Sequence, residues 1–181
     1  MPQQARSRLS MPEFALLGML LHGPAHGYEL VATMHRIGLD ELFPVEPPTM
    51  YGYLKALERR GLVAWQEERT GNRPPRKVYR LTEAGVQTVE EWVNSPVDRL
   101  RLVRQDFLFK LTLLDLLGRH GERQTLVRRQ LERCQAYLVD VEARATPTPI
   151  AALLRGARSS AARATMTWLA SLLEPREVPS R

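Results

Sequence analysis

The apolar positions between Pro47 and Leu81 change their period within one short stretch of chain. Met50, Tyr53, Leu54 and Leu57 recur at i, i+3, i+4 and i+7, the spacing of a single helix face. The opposite face carries Gly52, Lys55 and Arg59, with Tyr51 at its flank. Gly61 stands where a helix stops, because glycine takes a positive φ at C′ without strain. Leu62–Trp65 and Val78–Leu81 follow as short β-type runs, joined by a loop, Thr70–Pro75, that is rich in turn formers. The pattern predicts a helix and then a hairpin.

Two further helices precede this stretch. Ser10-Met11-Pro12-Glu13 has the form of a capping box and opens a helix whose predicted apolar set is Phe14, Leu17, Leu20 and Leu21. After a turn of small and φ-restricted residues, Gly23–Tyr28, a second helix runs from His26 or Gly27 to Ile37 on Tyr28, Leu30, Val31 and Met34. Thr82 is placed to cap a fourth helix, Glu83 to Asn94, with Val86, Val89, Trp92 and Val93 inward, and Ser95-Pro96 closes this part of the chain.

Past Pro96 the pattern is wholly helical. Residues 98–118 are dense in leucine, with Phe107 and Phe109, too wide a stripe for one exposed helix. Val127, Leu131, Cys134, Leu138, Val141 and Ala145 then step by four and three, a coiled-coil spacing. Thr146–Pro149 breaks the chain and supplies an N-cap with proline behind it. The last helix shows a second stripe of Ile150, Leu154, Ala157, Ala161, Ala164 and Trp168. The expected fold is mainly α with a small β-hairpin. Residues 1–96 form a winged helix-turn-helix, and 97–181 form antiparallel, coiled-coil-like helices.

Charge changes this picture only locally. The 181 residues carry a net +6, which suits an anionic partner. Residues 1–96 are neutral overall, with 11 basic and 11 acidic side chains, so the surplus lies downstream. Yet the helix and hairpin hold Lys55, Arg59, Arg60, Arg69, Arg73, Arg76, Lys77 and Arg80 against Glu58, Glu67 and Glu68. The basic arm of residues 1–9 reads either as a frayed end or as a backbone contact. A single cysteine excludes a disulfide scaffold, and no apolar run approaches the roughly 20 residues of a membrane span, so a soluble, cytoplasmic protein without a membrane partner is expected.

Catalytic chemistry has no foothold. The four histidines and the one cysteine are scattered, and no nucleophile–base pair or phosphate loop occurs. His22 and His26 are four apart, but Gly23-Pro24 breaks the helix that would align them on a metal. No enzyme, metal or cofactor is expected.

Four motifs, in order, carry a family resemblance. They are Gly23-Pro24-x-His26-Gly27-Tyr28-Glu29-Leu30, then Thr49-x-Tyr51-x-x-Leu54-x-x-Leu57, then Gly61-Leu62-Val63, and finally Pro75-Arg76-Lys77-Val78-Tyr79-Arg80-Leu81-Thr82-x-x-Gly85. Together they resemble the PadR family of bacterial transcription regulators. Asp106-Phe107-x-x-Lys110-Leu111 and Trp168-Leu169 are similar to its longer subgroup, whose C-terminal helices form the dimer. Two departures stand out: Glu46-Pro47-Pro48 where the family has a small polar residue and Pro-Gly, and Gly52 where a longer side chain is common.

The resemblance and the pattern together imply a homodimeric repressor on a palindromic operator, released by a small aromatic or amphipathic effector. The candidate DNA contacts are Thr49, Tyr51, Gly52, Lys55 and Arg59 on the helix and Asn72, Arg73, Arg76 and Lys77 on the wing. Tyr51 reads either as a phosphate contact or as a flank of the core, and Lys55 as a phosphate contact or a solvated lysine. The candidate dimer contacts are Val127, Leu131, Leu138, Val141, Leu154, Ala161 and Trp168. The competing reading is a winged-helix adaptor that binds another protein, which the neutral first part, Glu46 and Gly52 favour.

Overall fold

The computed structural model describes residues 9–69 and 75–174. The chain divides into two compact units between Val93 and Asn94. The first contains α1 (Met11–Leu20), β1 (Ala25–His26), α2 (Gly27–Arg36), α3 (Pro47–Arg59), β2 (Val63–Glu68), β3 (Arg76–Leu81) and α4 (Glu83–Val93).

The start of α1 follows from its cap. The Glu13 carboxylate accepts the Ser10 N–H at 2.7 Å and pairs with Arg60 at 3.6 Å, which satisfies a nearly buried acid. The rest of α1 departs from the expected single stripe: Ala15, Leu16, Leu17, Met19 and Leu20 are all buried, while Phe14 and Leu21 are half-buried. Elements α2, α3, β3 and α4 all pack against it, so its apolar residues go nearly all round. Phe14 stacks on Trp92 of α4 with ring centroids 4.5 Å apart.

Helix α3 keeps its predicted inward face. Met50, Leu54 and Leu57 are buried and Tyr53 is half-buried. It ends in a Schellman motif, with Gly61 N–H donating to Glu58 O at 2.9 Å and Leu62 N–H to Leu57 O at 3.0 Å. Gly61 has φ +69°, the left-handed value that the motif requires.

The hairpin is part of a larger sheet. Strands β2 and β3 pair antiparallel, with Trp65 opposite Tyr79, Glu67 opposite Lys77 and Glu68 opposite Arg76. On the far side of β3 lies β1, with Ala25 opposite Tyr79 and His26 opposite Val78, giving the order β1-β3-β2. The sequence predicts only a turn there, because two residues are too few to show a period of two.

The second unit contains a 3-10 segment (Leu100–Arg104), α5 (Asp106–Leu116), α6 (His120–Ala143) and α7 (Pro149–Ser171). Thr148 caps α7 by accepting the Ala151 N–H at 3.2 Å, with Pro149 behind it. Helices α6 and α7 pack along each other as a hairpin, and Phe107, Phe109, Leu113, Leu114 and Leu126 fill the core.

The expected dimer contacts differ in how far the single chain itself covers them. Val127 and Val141 are fully covered within the single chain, and Leu131 and Leu138 are half-covered. Heptad spacing marks an apolar seam without naming its partner, and the short connection after α6 lets the chain's own α7 cover it. On α7 the buried face is Ser159, Ala162 and Leu169, which leaves Leu154, Ala157, Ala161 and Ala164 exposed. Trp168 is half-buried, edge-on to Phe107 at 6.4 Å.

The first residues of the second unit are tied down by side chains. Gln130 is buried and accepts the Val97 N–H at 2.7 Å while donating to Val97 O at 3.3 Å. Lys110 donates to Ser95 O, Arg129 donates to Asn94 O, and Arg133 pairs with Asp98. Gln130 also donates to Cys134, whose thiol burial pushes up from its usual pKa. Such a thiol stays protonated and packs as a small hydrophobe. Among the described residues no helix is long and apolar enough to cross a membrane.

Candidate nucleic-acid interface

Helix α3 and the sheet converge on one groove of about 650 Å³. Tyr51 and Lys55 enter it from α3, and Arg76 and Lys77 from β3. The sequence placed two of these on the helix and two on the wing, and the fold brings the pairs together. Thr49, Gly52 and Arg59 lie exposed on α3 and are not among the groove-lining residues. Asn72, Arg73 and residues 1–8 lie outside the described residues.

Three positions shape this groove that sequence reasoning did not assign to it. The first is Gly27, whose missing side chain makes room for Tyr51: a Cβ there would sit 2.4 Å from Tyr51 Cε1. The second is His26. Its Nδ1 lies 3.1 Å from Lys77 O, its Nε2 lies 3.2 Å from the Glu68 carboxylate, and its ring stacks on Tyr28. One side chain on β1 thus touches both strands of the hairpin. The third is Tyr79, nearly buried beneath the groove. Burial raises its phenol pKa above the ordinary value, and Glu58 and Tyr51 raise it further, so it remains a neutral group. Gly27 and His26 both stood in the turn motif, but their contacts are long-range and no local period reports them.

The cations are held over aromatic faces. The Lys77 ammonium lies 3.6 Å from the Trp65 ring centroid, and the Arg76 guanidinium lies 5.5 Å from that of Tyr28. Trp65 is in turn fixed by donating its indole N–H to Glu58 at 2.8 Å. Opposite charges face each other across the strands, Glu67 with Lys77 and Glu68 with Arg76, which stiffens the hairpin stem and moderates its positive field. The result is a preformed set of donors beside an exposed helix face, of the kind that can pair with phosphate oxygens. Among the described residues no three His, Cys, Asp or Glu side chains stand together as a metal site.

Residues 16–91 match the Transcriptional regulator PadR-like family. The match takes in most of the first unit. The negative transcriptional regulator PadR of Bacillus subtilis (strain 168) is 26% identical over 130 residues, which span 72% of this chain and 70% of that protein. Among solved structures, Bacillus subtilis PadR in complex with operator DNA has 23% identity and a TM-score of 0.45, covering 90% of this chain and 97% of that one. The same regulator in complex with p-coumaric acid has 23% identity and a TM-score of 0.40, covering 93% and 97%. The PadR-like match spans α2, α3 and the hairpin, so all four groove side chains lie within it.

Proposed function

We propose that the chain binds a palindromic operator as a homodimer and represses transcription, each first unit placing α3 in the major groove and the hairpin against the backbone. The observation that carries this reading is the convergence of Tyr51 and Lys55 with Arg76 and Lys77 on one groove. The related Bacillus subtilis protein's designation as a negative regulator supports repression. For the dimer, support comes from α7, where Ile150, Leu153 and Leu154 stand 61%, 71% and 47% exposed beside a run of exposed alanines. One recognition helix reads few bases, whereas a two-fold dimer reads two half-sites about 34–36 Å apart.

The reading extends to release by a small aromatic or amphipathic molecule. A groove of about 500 Å³ in the second unit is lined by Tyr137, Arg129 and Arg133 together with the acids Asp98 and Glu132.

The test is the salt dependence of operator binding. Each phosphate neutralised adds about 0.9 to the slope of log K against log salt. Arg76→Ala with Lys55→Ala is expected to weaken binding to all sequences and to flatten the slope by roughly 1–2 units. An unchanged slope removes the groove from the interface. The adaptor reading is favoured by the acids facing Lys77 and Arg76 across the stem. It predicts weak binding that salt erases on every fragment of the source genome.

Gly27→Ala offers a second check on the same groove. The added Cβ strikes the far end of a side chain, so the melting temperature is expected to change little while the Tyr51 ring is displaced. Operator affinity is expected to fall about tenfold, as for Tyr51→Ala, the size of one lost hydrogen bond to a charged group. Affinity equal to that of the wild type would show that Tyr51 contacts no DNA.

A further inference from the structure

The start of α3 is unlike an ordinary helix end. Val45 and Met50 are buried, and between these anchors Glu46, Pro47, Pro48 and Thr49 are all exposed, so the segment is presented outward from fixed points. Glu46 holds the N-cap position with extended backbone, φ −102° and ψ 129°. An N-cap side chain ordinarily accepts the N–H of the second or third helical residue. Here the second is Pro48, which has none, and Glu46 makes no side-chain cap hydrogen bond. Among the described residues no donor or cation reaches its carboxylate.

The prolines remove something else. A helix start attracts anions through its free backbone N–H groups. Pro47 and Pro48 lack two of them, and the Met50 N–H is already donated to Glu46 O. Thr49 retains the one helical N–H left over in this turn. This end of α3 is therefore a poor phosphate seat with an unengaged carboxylate on it. Beside a phosphate that carboxylate is repulsive. In a major groove it is matched by an amino donor, and a carboxylate suits the cytosine N4 amino group, whereas adenine's adjacent donor and acceptor suit an amide. Gly52 lies exposed farther along α3, and nothing stands within 4 Å of where its Cβ would be, so the backbone can come close to the base edges.

We propose that Glu46 determines base specificity, accepting a hydrogen bond from a cytosine amino group at one fixed position in each half-site and penalising other bases there by leaving the carboxylate unpaired. This rests on the DNA-binding reading above. The unpaired penalty makes Glu46 a discriminating residue even where it adds little affinity.

The experiment selects bound duplexes from a randomised pool with the full-length protein, its Glu46→Ala variant and its Glu46→Gln variant. Glu46 is exposed and caps nothing, so both variants keep the wild-type melting temperature. The wild-type consensus is expected to hold cytosine at one position per half-site. Glu46→Ala is expected to lose that preference by roughly tenfold while keeping the remaining consensus, and Glu46→Gln to move it towards adenine. An alanine variant with the wild-type consensus and ratios overturns the proposal. So does one that binds every sequence more tightly by the same factor, because the carboxylate then only repels phosphates. A wild-type protein that selects no consensus removes the DNA reading itself, an outcome distinct from either.

Discussion

Gly85→Ala is expected to lower the melting temperature of the first unit by about 10–20 °C, the consequence of roughly 3 kcal/mol of overpacking in a domain of this size. The cause is a contact between backbones. Helix α4 begins against the turn after α3: the Thr82 N–H donates to Leu62 O at 3.1 Å, and the Thr82 hydroxyl donates to Gly61 O at 2.6 Å while accepting the Gly85 N–H at 3.1 Å. A Cβ on Gly85 would lie 2.0 Å from Leu62 O. No rotamer change relieves that, so either α4 moves away or the cap hydrogen bonds break. Gly52→Ala supplies the opposite sign. Its site is open, and alanine gains about 1 kcal/mol of helix propensity, so this variant is expected to melt higher. Circular-dichroism melts of the pair check both. Equal melting temperatures would show that α4 does not approach Leu62 so closely.

Charging the exposed face of α7 is expected to have the largest effect on function. Ile150→Asp combined with Leu153→Asp places two carboxylates on side chains that the single chain leaves mostly exposed, so its own fold is expected to hold. If α7 is the dimer contact, sedimentation should report a species of 20.7 kDa. Operator affinity should drop by about 10²–10⁴-fold, because the second half-site is no longer bound at the effective concentration that tethering provides. Val127→Ala is the contrasting change. It opens a cavity inside the helical hairpin and lowers the melting temperature without a specific loss of dimer. A double aspartate variant that remains dimeric would move the interface elsewhere.

Much of the first unit is legible in its residues because its signals are local. The i, i+3, i+4, i+7 spacing of Met50, Tyr53, Leu54 and Leu57 and the stop at Gly61 each report a structure within a few residues of themselves. The caps at Ser10 and Thr148 are legible for the same reason. What escaped was long-range. Strand β1 exists only because β3 pairs with it, and Gly27 matters only because the Tyr51 ring arrives from another helix. The apolar stripe of α6 was visible, yet whether α7 or a second chain covers it depends on a connection, which periodicity does not encode. For the candidate interface, the family resemblance and the residue types marked Tyr51, Lys55, Arg76 and Lys77 among nine candidates, while their common groove, and the histidine that ties the sheet beneath it, came from the fold.

The hydrogen bonds around Val97 have a mechanical consequence. A buried amide holds that residue by both its N–H and its C=O, with Ser95 and Asp98 fastened on either side. Held through the peptide groups on both of its sides, Val97 cannot turn about the chain axis, so residues 95–98 are clamped to α5 and α6 within the second unit. Torque applied along α6 is then shared with residues 94–98 of the same unit, which move with the helix.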